Sequence, residues 1–211
     1  MRRLSKVIAS ALLASTVVVV LAVAASGAPS SAACLPAGAR ALAADGTVQA
    51  FSWHGAVYGC VKASGARQRL GGASVCNVAP GRVAPVTVAR ALVVYGLETC
   101  GVDTGSSVVV VRNLMSGRRL ADLTAATLPR GPESYVSVNS LVVRGDGAVG
   151  WISSDASIIS HRPTTYEVHR FTSGKSSLLD SGTAIDPASL RLAGARMTWR
   201  NRGGKRSAGL P

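Results

Sequence analysis

Aromatic side chains are scarce in this 211-residue chain, at 4%, and charged ones make up only 16%. Acids are fewest of all, with 10 Asp and Glu against 23 Lys and Arg. Few Glu, 23 Gly and 9 Pro together exclude a long coiled coil. No C-x-x-C occurs, so neither a thioredoxin-like redox pair nor a zinc ribbon is expected. H-E-x-x-H, G-x-S-x-G and the P-loop are also missing, which removes the commonest sequence signals for zinc proteolysis, serine hydrolysis and nucleotide binding. His54, His161 and His169 are scattered, with Glu167 between the last two, and read as ordinary loop and strand residues. No metal or cofactor is expected. Sequence-specific nucleic-acid binding is excluded too, because neither a reading helix nor an aromatic stacking motif is visible.

What is plentiful is apolar. Hydrophobic residues make up 47% of the chain and are spread along it, which argues against disorder. The length suits one domain or a small repeat array. The N-terminus has the pattern of a secretory signal peptide: Arg2, Arg3 and Lys6, an uncharged run from Val7 to Ala25, then small residues through Ala28. Residues 1–28 are assigned to it, with cleavage between 25 and 33, and 29–39 to a linker. The membrane would be met only through this segment before cleavage. Ser31-Ala32-Ala33-Cys34 offers an alternative, a lipoprotein anchored at Cys34, although Ser31 stands where a lipobox has Leu. Cys34, Cys60, Cys76 and Cys100 make an even count, which in an exported chain points to two disulfides. Three connectivities are possible, and pairing in sequence order is favoured.

Beyond residue 40 helical periodicity is nearly absent, and short runs of alternating β-branched residues are bounded by Gly, Asp-Gly or Asn. Four segments share an apolar–x–aromatic core: Phe51-Ser52-Trp53, Val93-Val94-Tyr95, Val149-Gly150-Trp151 and Met197-Thr198-Trp199. The aromatics fall 42, 56 and 48 residues apart. A later strand is followed by Ser64-Gly65, Ser116-Gly117 and Ser173-Gly174 in the first three copies. Each unit therefore reads strand, turn, aromatic strand, loop, strand, Ser-Gly turn, strand, the order of a β-propeller blade. On these motifs residues 40–211 loosely resemble exported bacterial β-propeller-like repeat proteins. The resemblance implies an all-β fold of about four antiparallel units near 40–80, 84–130, 134–182 and 188–211, the last one strand short. Trp53, Tyr95, Trp151 and Trp199 are expected at the unit cores, with Trp151 essential to folding and His169 dispensable. There is no WD dipeptide and no kelch double glycine, so an irregular β-sandwich or barrel is the alternative.

Two motifs look like chemistry. Val102-Asp103-Thr104-Gly105 resembles the active-site box of aspartic proteases, and Leu179-Asp180-Ser181-Gly182 offers a second carboxylate that could share a proton with the first. Their separation of 77 residues, with only 31 after Asp180, is short for two lobes. A hydrolase using Asp103 and Asp180 is therefore the alternative, and turns are preferred. Gly145-Asp146-Gly147-Ala148-Val149-Gly150 fits G-x-G-x-x-G but runs into Trp151-Ile152-Ser153, a strand and not the helix that a dinucleotide site needs.

Charge is the remaining signal. Past the signal segment the chain carries 20 basic and 10 acidic residues. The bias peaks at the end, where Arg191, Arg196, Arg200, Arg202, Lys205 and Arg206 follow the last acid, Asp186. Such an edge attracts polyanions. The sequence is thus expected to encode a secreted or envelope-associated, non-enzymatic module that binds or scaffolds an anionic cell-envelope polymer or another protein.

Overall fold

A computed structural model describes residues 34–74, 76, 81–102, 104–127, 131, 133–157, 159–160 and 162–211. The signal-peptide expectation for 1–28 falls outside the described residues, as do Asp103 and His161. The described chain is all β, and the strands come in groups. The first unit holds β1 (Arg40–Ala44), β2 (Val48–Trp53), β3 (Ala56–Val61) and β4 (Arg67–Gly72). The second holds β5 (Arg82–Ala89), β6 (Leu92–Cys100), β7 (Gly105–Asn113) and β8 (Arg119–Thr124). The third holds β9 (Ser134–Val143), β10 (Val149–Ser157), β11 (Thr165–Thr172) and β12 (Lys175–Gly182). The fourth has three: β13 (Arg191–Ala193), β14 (Arg196–Asn201) and β15 (Gly204–Gly209).

Within each unit neighbouring strands pair antiparallel in sequence order. Units I and II, and units II and III, are stitched by one parallel pair each, Gly72 with Arg82 and Gly105 with Tyr135. The first strands of successive units, β1, β5, β9 and β13, lie against one another in turn. That is the arrangement of a propeller-like fold, and the sheet path runs open from β1 to β12 with no closed barrel. The sandwich-or-barrel alternative is set aside.

Local chemistry explains the hairpins. The Ser-Gly copies stand at the turns between the third and fourth strands, where Gly65, Gly117 and Gly174 take φ of 67°, 70° and 76°. Side-chain-bearing residues reach that left-handed region only at a cost, so glycine recurs there. Gly59 in β3 serves another purpose. A Cβ on it would come within 2.6 Å of Leu114, so its bareness lets unit II close on unit I.

Period-two alternation then places the core between units, not inside them. Val48, Ala50 and Val57 of unit I meet Val93, Tyr95 and Leu114 of unit II. Val94, Val109 and Val111 of unit II meet Val136, Val149 and Trp151 of unit III. Ala148, Ile152 and Val168 of unit III meet Leu190, Met197 and Trp199 of unit IV. Thus Tyr95, Trp151 and Trp199 each point at the unit before their own. Among the described residues no unit covers Trp53, which is partly exposed on the outer face of unit I.

The disulfides join Cys34 to Cys60 and Cys76 to Cys100. The first clips residues 34–39 over Phe51 at that same outer face, where Cys34 and Cys60 are both fully buried. The second ties the segment after β4 to the end of β6, hence unit I to unit II. Closing loops of 26 and 24 residues restricts the unfolded chain by roughly 3 kcal/mol each. This pairing overturns the lipoprotein alternative, since a sulfur held in a disulfide cannot carry a thioether-linked lipid.

Trp151 is fully buried and its Nε1 donates to the Ala125 carbonyl at 2.8 Å. Trp151→Ala is expected to lower the unfolding free energy by about 3–5 kcal/mol, seen as a shifted urea midpoint. An unchanged midpoint would remove Trp151 from the core.

Candidate functional site

Unit IV carries the basic segment, and its strand register decides which side chains act together. Met197 and Trp199 of β14 face unit III. Arg196, Thr198 and Arg200 therefore face the other way. Cross-strand pairing puts Lys205 opposite Arg200, Ser207 opposite Thr198, and Arg191 opposite Thr198 from the other side. Arg191, Arg196, Arg200 and Lys205 are all exposed and share this outer face. A depression of about 460 Å³ opens there, lined by Asp186, Ser189, Arg191, Thr198, Arg200 and Lys205, among others. Asp186 is its rim acid, and one carboxylate oxygen accepts from the Ala188 amide at 3.0 Å. Arg196 donates to Ser207 Oγ at 2.9 Å, and Arg191 to the carbonyls of Ala188 and Leu190 at 2.8 and 2.7 Å. These bonds aim guanidinium groups along the sheet surface. Arg202 lies apart in the β14–β15 turn, and Arg206 stands opposite Trp199 on the other face.

Acids are placed differently. Asp180 accepts Trp199 Nε1 at 2.7 Å and Asn201 Nδ2 at 3.1 Å on each oxygen. Both oxygens are thereby engaged in holding unit IV to unit III. That is a structural latch, and the aspartic-protease alternative through Asp103 and Asp180 is dropped. Glu98, 2% exposed, takes the Arg82 guanidinium on one oxygen and Ser137 Oγ on the other at 2.9 Å. Tyr135 stands beside it, with its hydroxyl 3.3 Å from Cys100 Sγ. Burial, then its hydrogen bond to Glu98, push the Tyr135 phenol up to about 12, so it remains a donor. Next to this cluster a hydroxyl-lined depression of about 330 Å³ includes Thr99, Thr104, Ser106 and Ser134. Asp155, 2% exposed, is paired with Arg162 at 3.1 Å.

The third buried acid overturns an expectation. Glu167 accepts the Thr127 amide at 2.6 Å, Thr127 Oγ1 at 3.1 Å and a bond to His169 Nε2 at 2.7 Å. His169 is 2% exposed and stacks on Trp151 with ring centroids 4.9 Å apart. It is no dispensable strand residue. Losing it would leave a buried carboxylate short of a partner. Sequence reasoning missed this pair because Tyr166-Glu167-Val168-His169 alternates as a half-exposed strand does. β11, however, lies in an inner unit whose other face is covered as well.

No family model matches the chain, and no curated protein matches it. Among solved structures it is similar to "A subtype N10 neuraminidase-like protein of A/little yellow-shouldered bat/Guatemala/060/2010", with 12% identity and a TM-score of 0.42. The match covers 77% of this chain and 50% of that one, so the chain spans about half the length of that protein. A bacterial exported repeat family receives no support from these matches. The expectation of a non-enzymatic chain is corrected here, because the matched structure is described as neuraminidase-like; absence of catalysis is not carried forward. At this level of likeness the match assigns no chemistry either.

Desolvation holds the His169 imidazole below its ordinary value of 6.5, against the opposing pull of Glu167. The unfolded chain therefore takes up a proton at that position at a higher pH than the folded chain does. Stability from this position is complete above 6.5 and is lost as pH falls below it. His169→Gln, which keeps a donor for Glu167, is expected to flatten the stability profile between pH 7 and 5 in urea titrations. A variant as acid-sensitive as the parent would clear His169 of this role.

Proposed function

We propose that this protein is an exported propeller-like module that binds an anionic polymer of the cell envelope through the outer face of unit IV. The observation that carries the reading is the shared exposure of Arg191, Arg196, Arg200 and Lys205 on one sheet face. No acid follows Asp186 in the sequence. Four like charges on one rigid surface, with a repeat spacing set by strand pairing, suit a ligand with regularly spaced negative groups. Burial of Glu98, Asp155 and Glu167 elsewhere leaves few acids to neutralise the surface. Two disulfides fit an oxidising location outside the cytoplasm.

Inorganic polyphosphate is a suitable probe. The native protein is expected to bind it with an affinity that falls steeply as salt rises. Replacing Arg191, Arg196, Arg200 and Lys205 together by Gln is expected to weaken binding roughly tenfold or more and to reduce the salt dependence. Equal affinity and an equal salt slope in the variant would remove the face from the function. In cells, a high-salt wash of the envelope is expected to release the native protein.

A further inference from the structure

The apolar–x–aromatic pair has one direction throughout. Val93 and Tyr95 face unit I, Val149 and Trp151 face unit II, and Met197 and Trp199 face unit III. By the same alternation Phe51 and Trp53 face away from unit II, on a side that no unit of the described chain covers. The disulfide-clipped segment after Cys34 seals Phe51, which is fully buried, yet leaves Trp53 and Tyr58 partly exposed. Tyr58 stacks on Phe51 at 5.6 Å, and Trp53 meets Tyr58 edge to face at 6.2 Å. The exposed His54 also meets Trp53 edge to face at 4.4 Å, so the rings are held by one another while part of Trp53 and of Tyr58 stays exposed.

Among the described residues, the charged side chains that strand pairing places beside these rings are positive. Strand pairing sets Arg69 opposite Tyr58 and Arg67 opposite Cys60, and both arginines are exposed. Asp45 is the only acid among residues 34–74. It stands at the β1–β2 turn, where its side chain caps the amides of Thr47 and Val48 at 2.7 and 2.8 Å. A protein partner of ordinary composition would need an unusually acidic patch to sit here. The outer face of unit IV in a second copy is itself basic and would be repelled. A chain of sugar rings bearing carboxylates satisfies both features. The C–H faces of pyranoses lie on aromatic rings, and the acid groups reach the guanidinium groups beside them.

We propose that Trp53 and Tyr58, flanked by Arg69 and Arg67, form a stacking platform for an acidic polysaccharide, a second binding site distinct from the unit IV face. The negative charge of the ligand rests on the polyanion reading above; the sugar ring is the new element. Trp151 is 0% exposed and Trp199, which borders the unit IV depression, 5%, so a ligand-induced change in tryptophan fluorescence that is lost in Trp53→Phe reports Trp53.

The test titrates the disulfide-intact protein with an oligogalacturonate, a neutral glucose oligosaccharide of equal length, and inorganic polyphosphate. The oligogalacturonate is expected to change the tryptophan emission in a way that Trp53→Phe abolishes, and any change caused by polyphosphate to persist in Trp53→Phe. Trp53→Ala and Arg69→Gln are each expected to weaken oligogalacturonate roughly tenfold and to leave polyphosphate binding intact. Trp53→Phe, which keeps a ring, should retain most of the affinity and serves if Trp53→Ala does not fold. Silent emission at saturation, or unchanged affinity in Trp53→Ala and Arg69→Gln, would overturn the platform while polyphosphate binding upheld the unit IV reading. A Trp53-dependent response to oligogalacturonate without polyphosphate binding would do the reverse. Equal binding of the neutral oligosaccharide would overturn the acidic specificity. Self-association that vanishes in Trp53→Ala, with no glycan response, would make a second copy the occupant and also overturn the proposal.

Discussion

No unit of this fold can bury its own sheet. A four-stranded antiparallel blade has two faces, and each must be covered by something outside it. The covering is supplied in one direction by the aromatic strand. Tyr95, Trp151 and Trp199 each press on the unit before. With aromatics at only 4% of the chain, three of its largest side chains are thus committed to the seams between units. Small residues do the rest: Gly59 receives Leu114, and a Cβ on Gly96 would stand 2.9 Å from Val138. Stability therefore resides in nearest-neighbour interfaces, as in other repeat folds.

The same constraint sorts the charges. Inner units are covered on both faces, so a buried carboxylate there is costly unless it finds a partner within the protein. Glu98, Asp155 and Glu167 do so with Arg82, Arg162, Ser137, Thr127 and His169. Asp180 likewise spends both oxygens on Trp199 and Asn201. Four acids, Glu98, Asp155, Glu167 and Asp180, are thus drawn into latches. Arginines outnumber these tasks and remain outside. The basic surface is thus partly a consequence of how the units are fastened, and it is concentrated on the face of unit IV that no described unit covers.

Much of the architecture was legible because its causes are local. Left-handed glycines mark the turns between third and fourth strands in units I to III, and the apolar–x–aromatic repeat reports strands that need cover. The cysteine count and spacing anticipated disulfides. What stayed hidden was non-local. Glu167 and His169 have the pattern of a strand with one wet face, and only Thr127, 40 residues away, shows that it is dry. Asp180 looked like part of a protease box because its partners Trp199 and Asn201 come from the next unit. The basic bias after Asp186 was plain in sequence, but its division, four residues on one face with Arg202 and Arg206 elsewhere, follows from the β13–β15 register.

Trp53 shows how the shared motif meets a different environment where no described unit stands beside it. In three units the motif is satisfied by a neighbour, so its aromatic is structural. In unit I the corresponding motif meets, among the described residues, the short segment held by Cys34–Cys60, which buries Phe51 and leaves the ring two residues on partly exposed. Leaving a tryptophan and a tyrosine partly in water, on a chain with so few aromatics, forgoes the burial that stabilises the other seams. Arg69 and Arg67 beside them would oppose closure by a basic unit but favour an acidic ligand. The two outer faces of the described units are thus unlike, one aromatic and basic, the other hydroxyl-bearing and basic. An extended anionic chain is the kind of ligand that could use both.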